Sequence, residues 1–145
     1  MKFNKWLQYG FLLVLYTSRG GRINIKTAAE NLGLPYHFLY QVALKLKRNS
    51  VLKSIRGPSG GYELNPESTV GDVFRVFVPT FFLTGRERFK YVSGSQEHRV
   101  MLNFVQGMDS VTAKLMKRKV NNLCNEFAIN EMNIVDKLPI PDLVN

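Results

Sequence analysis

Apolar residues recur at helical spacing in three segments of the first fifty positions. Residues 4–18 predict an amphipathic first helix, which a pair of glycines brings to an end. Residues 26–32 predict a short second helix, for which Asn24 is a suitable N-cap and Gly33 a suitable terminator. The third predicted helix covers residues 35–48, because its initial proline suits the first turn of a helix. The chain therefore begins with three helices, the last two separated by a glycine turn.

Turn-forming residues then separate two short segments of strand-like composition. The two segments are residues 54–56 and 62–64, and the residues between them comprise three glycines, a proline and a serine. This pattern predicts a tight β-hairpin with Arg56 at its base. A glycine-rich tip lets the backbone lie close to another surface, because no Cβ atom stands in the way.

Two further helical segments follow the hairpin, with an irregular stretch between them. The segment 69–72 has the spacing of a capping box and predicts a short helix over residues 70–78. Residues 79–97 contain proline, glycine and serine and are predicted to form a loop. A long helix is predicted over residues 98–130, and residues 131–145 are predicted to form a tail that frays.

The predicted long helix has more apolar surface than a small domain can cover alone. Its apolar residues keep a 4-3-4 spacing, and they include Phe104, Met108, Val111 and Leu115. Pairing with a second copy of the chain would bury this stripe, and so we expect a homodimer. The alternative is that the helix folds back onto the first helix of its own chain.

Positive charge is concentrated in the part of the chain that holds the three helices and the hairpin. The whole chain has a formal net charge of +9. Residues 1–62 contain ten lysine and arginine residues and a single acid, Glu30, whereas residues 63–145 contain ten residues of each sign. A field of this sign attracts a polyanion, and so double-stranded DNA is the expected partner.

Composition argues against several other classes of protein. Cys124 is the only cysteine, so an internal disulfide is impossible and a reducing cytoplasm is expected. No stretch approaches the roughly 20 apolar residues of a membrane span, and so no membrane partner is expected. With two histidines and one cysteine, the chain shows neither a Ser/His/Asp nor a Cys/His set, and it has no phosphate-binding glycine loop, so we expect no enzyme.

The order of helix, turn, helix and basic hairpin is that of a winged helix-turn-helix. Its most specific segment is Arg-Gly-Pro-Ser-Gly-Gly-Tyr at residues 56–62, and residues 31–54 lead into it. Over residues 5–78 the sequence resembles the Rrf-type winged-helix regulators, a family of homodimeric DNA-binding transcription factors. The resemblance implies a mainly α fold with a small β-hairpin wing, a winged helix-turn-helix domain over residues 1–78 and a long C-terminal dimerisation helix.

The sequence departs from this family in the loop before the long helix. Many members hold an iron–sulfur cluster there on three cysteines, but this chain has no cysteine between Pro79 and Arg99. Because such a cluster needs several thiolates, and Cys124 lies far along the long helix, no cofactor and no metal site are expected. Ser50 and Ser59 stand where glycines are usual, and Ser50 can still adopt a left-handed backbone at some cost.

Ten residues of the third helix and the hairpin are expected to contact DNA. They are Tyr36, His37, Tyr40, Gln41 and Lys45 in the helix, and Lys53, Arg56, Gly57, Ser59 and Gly60 in the hairpin. Gln41 can pair with an adenine edge, and Lys45 can reach guanine or phosphate. The resemblance implies that Arg56 enters the minor groove, where narrow A·T tracts attract cations. Because Tyr40 stands where some members carry a base-reading glutamate, their target sequences are not expected here.

The sequence therefore predicts a sequence-specific, cluster-free transcriptional regulator that acts as a dimer, with repression as the expected outcome. Two other functions fit the same pattern. The fold could serve as a protein-interaction module that works through the loop and the long helix. It could also be a sensor with a non-standard metal or small-molecule pocket that uses Cys124 or His98, and no residue pattern identifies an effector. Some of the rings of Tyr36, His37 and Tyr40 could also pack against the first helix.

Overall fold

The computed structural model describes residues 4–79 and 95–126 and contains eight helices and strands within them. In chain order these are α1 (Lys5–Gly20), α2 (Ile25–Leu32), α3 (Tyr36–Arg48), β1 (Leu52–Ile55), β2 (Gly61–Leu64), α4 (Val70–Phe77), α5 (Gln96–Met116) and α6 (Val120–Glu126). The strands form a two-stranded antiparallel sheet. No helix in the described ranges is both long and apolar enough to cross a membrane. The prediction of a mainly α fold with a β-hairpin wing is confirmed.

Local sequence accounts for both ends of α2 and for the turn that follows α3. The side-chain oxygen of Asn24 accepts hydrogen bonds from the amides of Lys26 and Thr27, at 2.8 and 3.3 Å, and this begins α2. Gly33 ends the same helix in the left-handed region, with φ of 68°. After α3, Ser50 also has a positive φ, of 62°, which confirms that a serine adopts the left-handed backbone at this position.

The core lies between α1 and the elements that surround it. α1 contacts α3, α4, α6 and strand β2. Large side chains with no exposed surface in this core include Leu7, Leu13, Val14, Leu39, Leu46, Val73 and Val120. Burying a side chain of this size stabilises the fold by about 1.5–3 kcal/mol, and so this packing holds α3 and the hairpin in place against α1.

The prediction of one continuous helix over residues 98–130 is wrong. Two helices, α5 and α6, replace it, with a three-residue turn between Met116 and Val120. α5 begins at Gln96, inside the predicted loop. Most of that loop, and the whole tail predicted over residues 131–145, lie outside the described residues.

Backbone hydrogen bonds to the start of α4 hold the turn between α5 and α6. The amide of Val70 donates to the carbonyl oxygen of Arg118 (2.9 Å), and the amide of Val120 donates to that of Ser68 (3.0 Å). Val120 is fully buried and Leu123 is nearly so, because α6 packs against α1. Burial of these two side chains offsets the helix hydrogen bonds that are lost at the turn. The alternative of a C-terminal helix that folds back onto the first helix therefore holds for α6.

An aromatic cluster joins α1, α3 and α4 beside the core. The ring of Trp6 on α1 lies 4.6 Å from that of Phe38 on α3 and 6.5 Å from that of Phe77 on α4, measured between centroids. The ammonium of Lys45 lies over Trp6 and Phe77, 5.1 and 5.9 Å from the ring centroids, within the range of a cation–π contact. Lys45 of α3 therefore has an aromatic partner on each of the two neighbouring helices.

α1 and α4 approach each other closely at Gly10. A Cβ atom added to Gly10 would overlap the ring of Phe77. Gly10 is buried inside α1, where glycine is unfavourable for a helix, and so this contact is the physical reason for glycine here. Gly107 on α5 provides a contrast, because a Cβ atom added there would meet no described atom within 4 Å.

We expect Gly10→Ala to lower the free energy of unfolding by up to about 2 kcal/mol, since overpacking costs about 1–3 kcal/mol and alanine regains about 1 kcal/mol of helix propensity. The matched control, Gly107→Ala, should raise this free energy by up to about 1 kcal/mol. Urea unfolding of the three proteins at one concentration, followed by circular dichroism, measures both changes. Equal stabilisation by the two substitutions would contradict the close contact between α1 and α4.

Trp6 is the only tryptophan of the chain, and so its fluorescence reports on the Lys45 contact. We expect Lys45→Met to shift the emission of Trp6 and to lower the free energy of unfolding by about 0.5–1 kcal/mol, because an exposed cation–π contact is lost. Arg48→Met removes a cation one turn further along α3 and should leave the emission unchanged. An unchanged spectrum in Lys45→Met would show that the ammonium does not lie over the indole ring.

Candidate nucleic-acid interface

The solvent side of α3 carries polar residues at helical spacing. His37, Gln41 and Arg48 fall opposite the buried Leu39 and Leu46, and all three are exposed. The predicted contact set includes His37 and Gln41 but omits Arg48, although the spacing of four and then seven residues places it on the same face. An imidazole, an amide and a guanidinium that point the same way suit contacts with base edges and phosphates.

Tyrosine rings occupy the edge of α3 that faces the hairpin. Tyr36 and Tyr40 are 42% and 39% exposed, and their ring centroids lie 6.2 Å apart. Burial raises the pKa of Tyr62 on β2, and the neighbouring hydroxyl groups of Tyr40 and Tyr36 add to this rise. Tyr36 and Tyr40 therefore lie near Tyr62, on the side of α3 that adjoins the hairpin. Of the aromatic side chains in the first turn of α3, it is Phe38 that packs against α1.

Lys45 lies on the opposite edge of α3 from these tyrosines. It is exposed, but its ammonium is directed over the rings of Trp6 and Phe77. The structure thus places Lys45 beside the outer face formed by His37 and Gln41 rather than in its centre. Of the five α3 residues in the predicted contact set, Lys45 is the one held by rings from two other helices.

The hairpin presents Arg56 just beyond the end of β1. Arg56 is exposed, and the ion pairs found among the described residues all involve other side chains. The amide of Gly60 donates to the carbonyl oxygen of Gly57 (2.9 Å) and closes the tip. Gly57 has a φ of 110°, a conformation that favours glycine, whereas Ser59 has no positive φ and fits as serine. The tip therefore places an arginine with no described carboxylate partner on a glycine-rich turn.

A groove of about 640 Å³ beside β1 collects positive charge. Its lining includes Lys47, Lys53 and Arg56, together with one acid, Glu63, which is the cross-strand neighbour of Lys53. Lys53 and Arg56 belong to the predicted contact set, whereas Lys47 does not. Local sequence could not reveal Lys47, because the groove forms only when the end of α3 packs against β1. Cations along a groove of this kind suit the phosphates of a nucleic-acid strand.

Arg22 is a further residue that the sequence analysis did not select. It lies between α1 and α2 and contacts the hairpin twice. Its Nε donates to Oε1 of Glu63 at 3.0 Å, and its Nη1 donates to the carbonyl oxygen of Ser59 at 3.1 Å. These partners lie 41 and 37 positions away along the chain, so no local pattern reveals the contacts.

Known proteins share both the sequence pattern and the fold. The model of the Rrf2 family, described as an iron-dependent transcriptional regulator, matches residues 3–126. CymR, an HTH-type transcriptional regulator of Bacillus subtilis, is 33% identical over 82 residues, which span 52% of this chain and 59% of that protein. The solved structure of B. subtilis CymR, the global cysteine regulator, has a TM-score of 0.68 at 24% identity and covers 86% of this chain and 97% of its own. The structure of T. potens IscR has a TM-score of 0.63 at 22% identity, with coverage of 94% and 96%.

The description of the family as iron-dependent raises the question of whether this chain could hold an iron centre on thiolates. An iron centre held by thiolates needs several cysteines, and the chain has only Cys124. Among the side chains that the structure describes in residues 4–79 and 95–126, no three from histidine, cysteine, aspartate or glutamate lie close enough together to hold a metal ion. The donor set of the chain therefore does not fit a thiolate-held iron centre.

The family match and the geometry agree over the same part of the molecule. Residues 3–126 make up well over half of the chain, and they contain every described helix and strand. The hairpin with its exposed Arg56 follows the three helices in the order of a winged helix-turn-helix. The two solved structures share that fold over most of their length. The chain belongs to the Rrf2 family of transcriptional regulators.

Proposed function

We propose that the protein is a sequence-specific transcriptional regulator that binds double-stranded DNA through α3 and the hairpin. The observation that carries this proposal is the pairing of two exposed elements: the outer face of α3, with His37, Gln41 and Arg48, and the hairpin tip with Arg56. α3 enters the major groove, where Gln41 reads an adenine edge. Arg56 reaches the adjacent minor groove, and the glycines of the tip let the backbone approach the DNA closely.

The neighbouring side chains extend this interface to the DNA backbone. Lys47 and Lys53, in the groove beside β1, lie where they can neutralise phosphates, and the hydroxyl groups of Tyr36 and Tyr40 can donate to phosphate oxygens. Lys45, held over two aromatic rings, contributes positive charge at the opposite edge of α3. Backbone contacts of this kind fix the register of a protein on DNA, while base contacts select the sequence.

We propose that the functional form is a homodimer joined through α5. The exposed face of this helix carries four large apolar side chains, Val100, Met101, Phe104 and Met108, which are 37–61% exposed. Burial of this stripe against a second copy would remove it from water. Two α3 helices would then enter successive major grooves about 34 Å apart and read a near-palindrome.

The regulation that we propose is repression, in the cytoplasm and without an iron–sulfur cluster. A bound dimer excludes other proteins from the DNA that it covers, which is sufficient for repression. The single cysteine supports a reducing compartment, and the same shortage of thiolates supports action without a cluster. Binding, and no catalysis, is the activity proposed for the interface.

The first test is a selection of bound duplexes from a random DNA library, followed by anisotropy titrations at several salt concentrations. We expect a near-palindrome, and we expect Arg56→Ala to weaken binding to it by about 1–3 kcal/mol and to reduce the salt slope by about one. Lys114→Ala removes the same charge from the exposed surface of α5 and should change neither quantity. Recovery of no motif, with binding that disappears as salt rises, would contradict the proposal and favour the protein-interaction module.

A substitution in the apolar stripe of α5 tests the proposed dimer. We expect Phe104→Glu to convert the dimer into a monomer, because a carboxylate in the interface would lose its hydration without a partner. Gln106→Glu adds the same charge to an exposed position on the other side of α5 and should leave the dimer intact. Sedimentation equilibrium measures the mass of each protein. A wild-type chain that sediments as a monomer would contradict the dimer directly.

A further inference from the structure

The guanidinium of Arg22 makes contact with both the stem of the hairpin, which consists of β1 and β2, and its tip, residues 56–60. Its Nε donates to the carboxylate of Glu63 on β2, and its Nη1 donates to the carbonyl oxygen of Ser59 at the tip. Arg22 itself lies in the segment between α1 and α2, outside the hairpin. One side chain thus connects the helical body of the protein, here the segment between α1 and α2, with both the stem and the tip of the hairpin.

The stem of the hairpin has a second attachment to the same segment. The amide of Ile23 donates to the carbonyl oxygen of Tyr62 (2.9 Å), and the amide of Tyr62 donates to that of Ile23 (2.8 Å). Gly61 permits this approach, because a Cβ atom there would overlap the carbonyl oxygen of Ile23. These bonds hold β2 against the body but end before the tip.

Fewer contacts attach the tip of the hairpin to the rest of the protein than attach its stem. The hydrogen bond from Gly60 to Gly57 is internal to the tip and does not attach the tip to the rest of the protein. The bond from Arg22 to Ser59 joins the tip to the body, and Glu63 fixes the orientation of the guanidinium that makes it. A planar guanidinium can hold two acceptors in this way, whereas the single nitrogen of a lysine cannot reproduce its geometry.

We propose that Arg22 is a positioning residue for the wing: it holds the tip at Ser59 and thereby places Arg56 in the minor groove. The proposal rests on the proposed DNA-binding function and assigns to Arg22 no contact with DNA. The ion pair with Glu63 is partly exposed, with 42% and 37% of the two side chains accessible, and such pairs contribute little to stability. Loss of Arg22 therefore affects the position of the tip far more than the folding of the chain.

A phosphate contact by Arg22 is the competing explanation, and a double-mutant cycle separates the two. If Arg22 acts through Arg56, its substitution has no further effect once Arg56 has been replaced, because residues that act as a unit are not additive. If Arg22 contacts a phosphate itself, its effect persists in that background, and the salt slope falls by about one.

The test compares Arg22→Gln, Arg22→Lys, Arg56→Ala and the double variant Arg22→Gln/Arg56→Ala in binding to the selected duplex at several salt concentrations. We expect Arg22→Gln to weaken binding about five- to tenfold, the size of a coupling between residues in one network, with an unchanged salt slope and no added effect in the double variant. Arg22→Lys should restore less than half of the loss. Arg19→Gln removes an exposed arginine from the end of α1 and serves as the control for charge alone.

Hydrogen exchange of the free protein tests the attachment of the tip separately from DNA binding, because it requires no DNA. We expect the amide of Gly60 to exchange several-fold faster in Arg22→Gln than in the wild type or in Arg19→Gln, while the amide of Tyr62 in the stem keeps its rate. Faster exchange at the tip with no DNA binding by any variant would overturn the proposed function but not the attachment of the tip. Unchanged exchange at Gly60, or an undiminished effect of Arg22→Gln in the Arg56→Ala background, would overturn the positioning role.

Discussion

The packing of α1 against its neighbours is the constraint on which the rest of this structure depends. One face of α1 buries Leu7, Leu13 and Val14 among α3, α4 and α6, and the helix also contacts β2. Because Gly10 has no side chain, α4 can approach α1 until the Phe77 ring lies beside that of Trp6. α3 and the hairpin, which form the candidate interface, therefore rest on one rigid element. Their relative position follows from the core rather than from the loops between them.

Features with local causes could be predicted from the sequence, and features with distant causes could not. Asn24 and Gly33 set the ends of α2 through atoms only a few residues away, and both were predicted. The turn between α5 and α6 is bonded instead to Ser68 and Val70, far earlier in the chain. The apolar stripe continues through this turn as far as Leu123, so that helical spacing alone indicates a single helix. The backbone hydrogen bonds to Ser68 and Val70 interrupt the helix at this turn.

In the candidate interface, too, the sequence identifies some residues and cannot identify others. Helical spacing identifies His37 and Gln41, and it would also have identified Arg48 if applied to the end of α3. It cannot show that the ammonium of Lys45 lies over rings from α1 and α4, because those rings come from other segments. Arg22 is visible in the sequence only as one of the ten lysine and arginine residues at positions 1–62. Its role becomes apparent once the guanidinium is seen between the body and the tip of the hairpin.

The turn between α5 and α6 also determines how a dimer joined through α5 would hold its two DNA-binding units. The carbonyl oxygen of Arg118 and the amide of Val120 are bonded to the start of α4, and Val120 is fully buried. The ion pairs of this region, Arg118 with Glu126 and Lys119 with Glu67, are partly exposed and contribute little. To rotate α5 against α4, the protein would have to break two backbone hydrogen bonds and expose an apolar core residue. In the proposed dimer, this joint would therefore help to set the distance between the two α3 helices, and a regulatory signal could change that distance by acting on the joint.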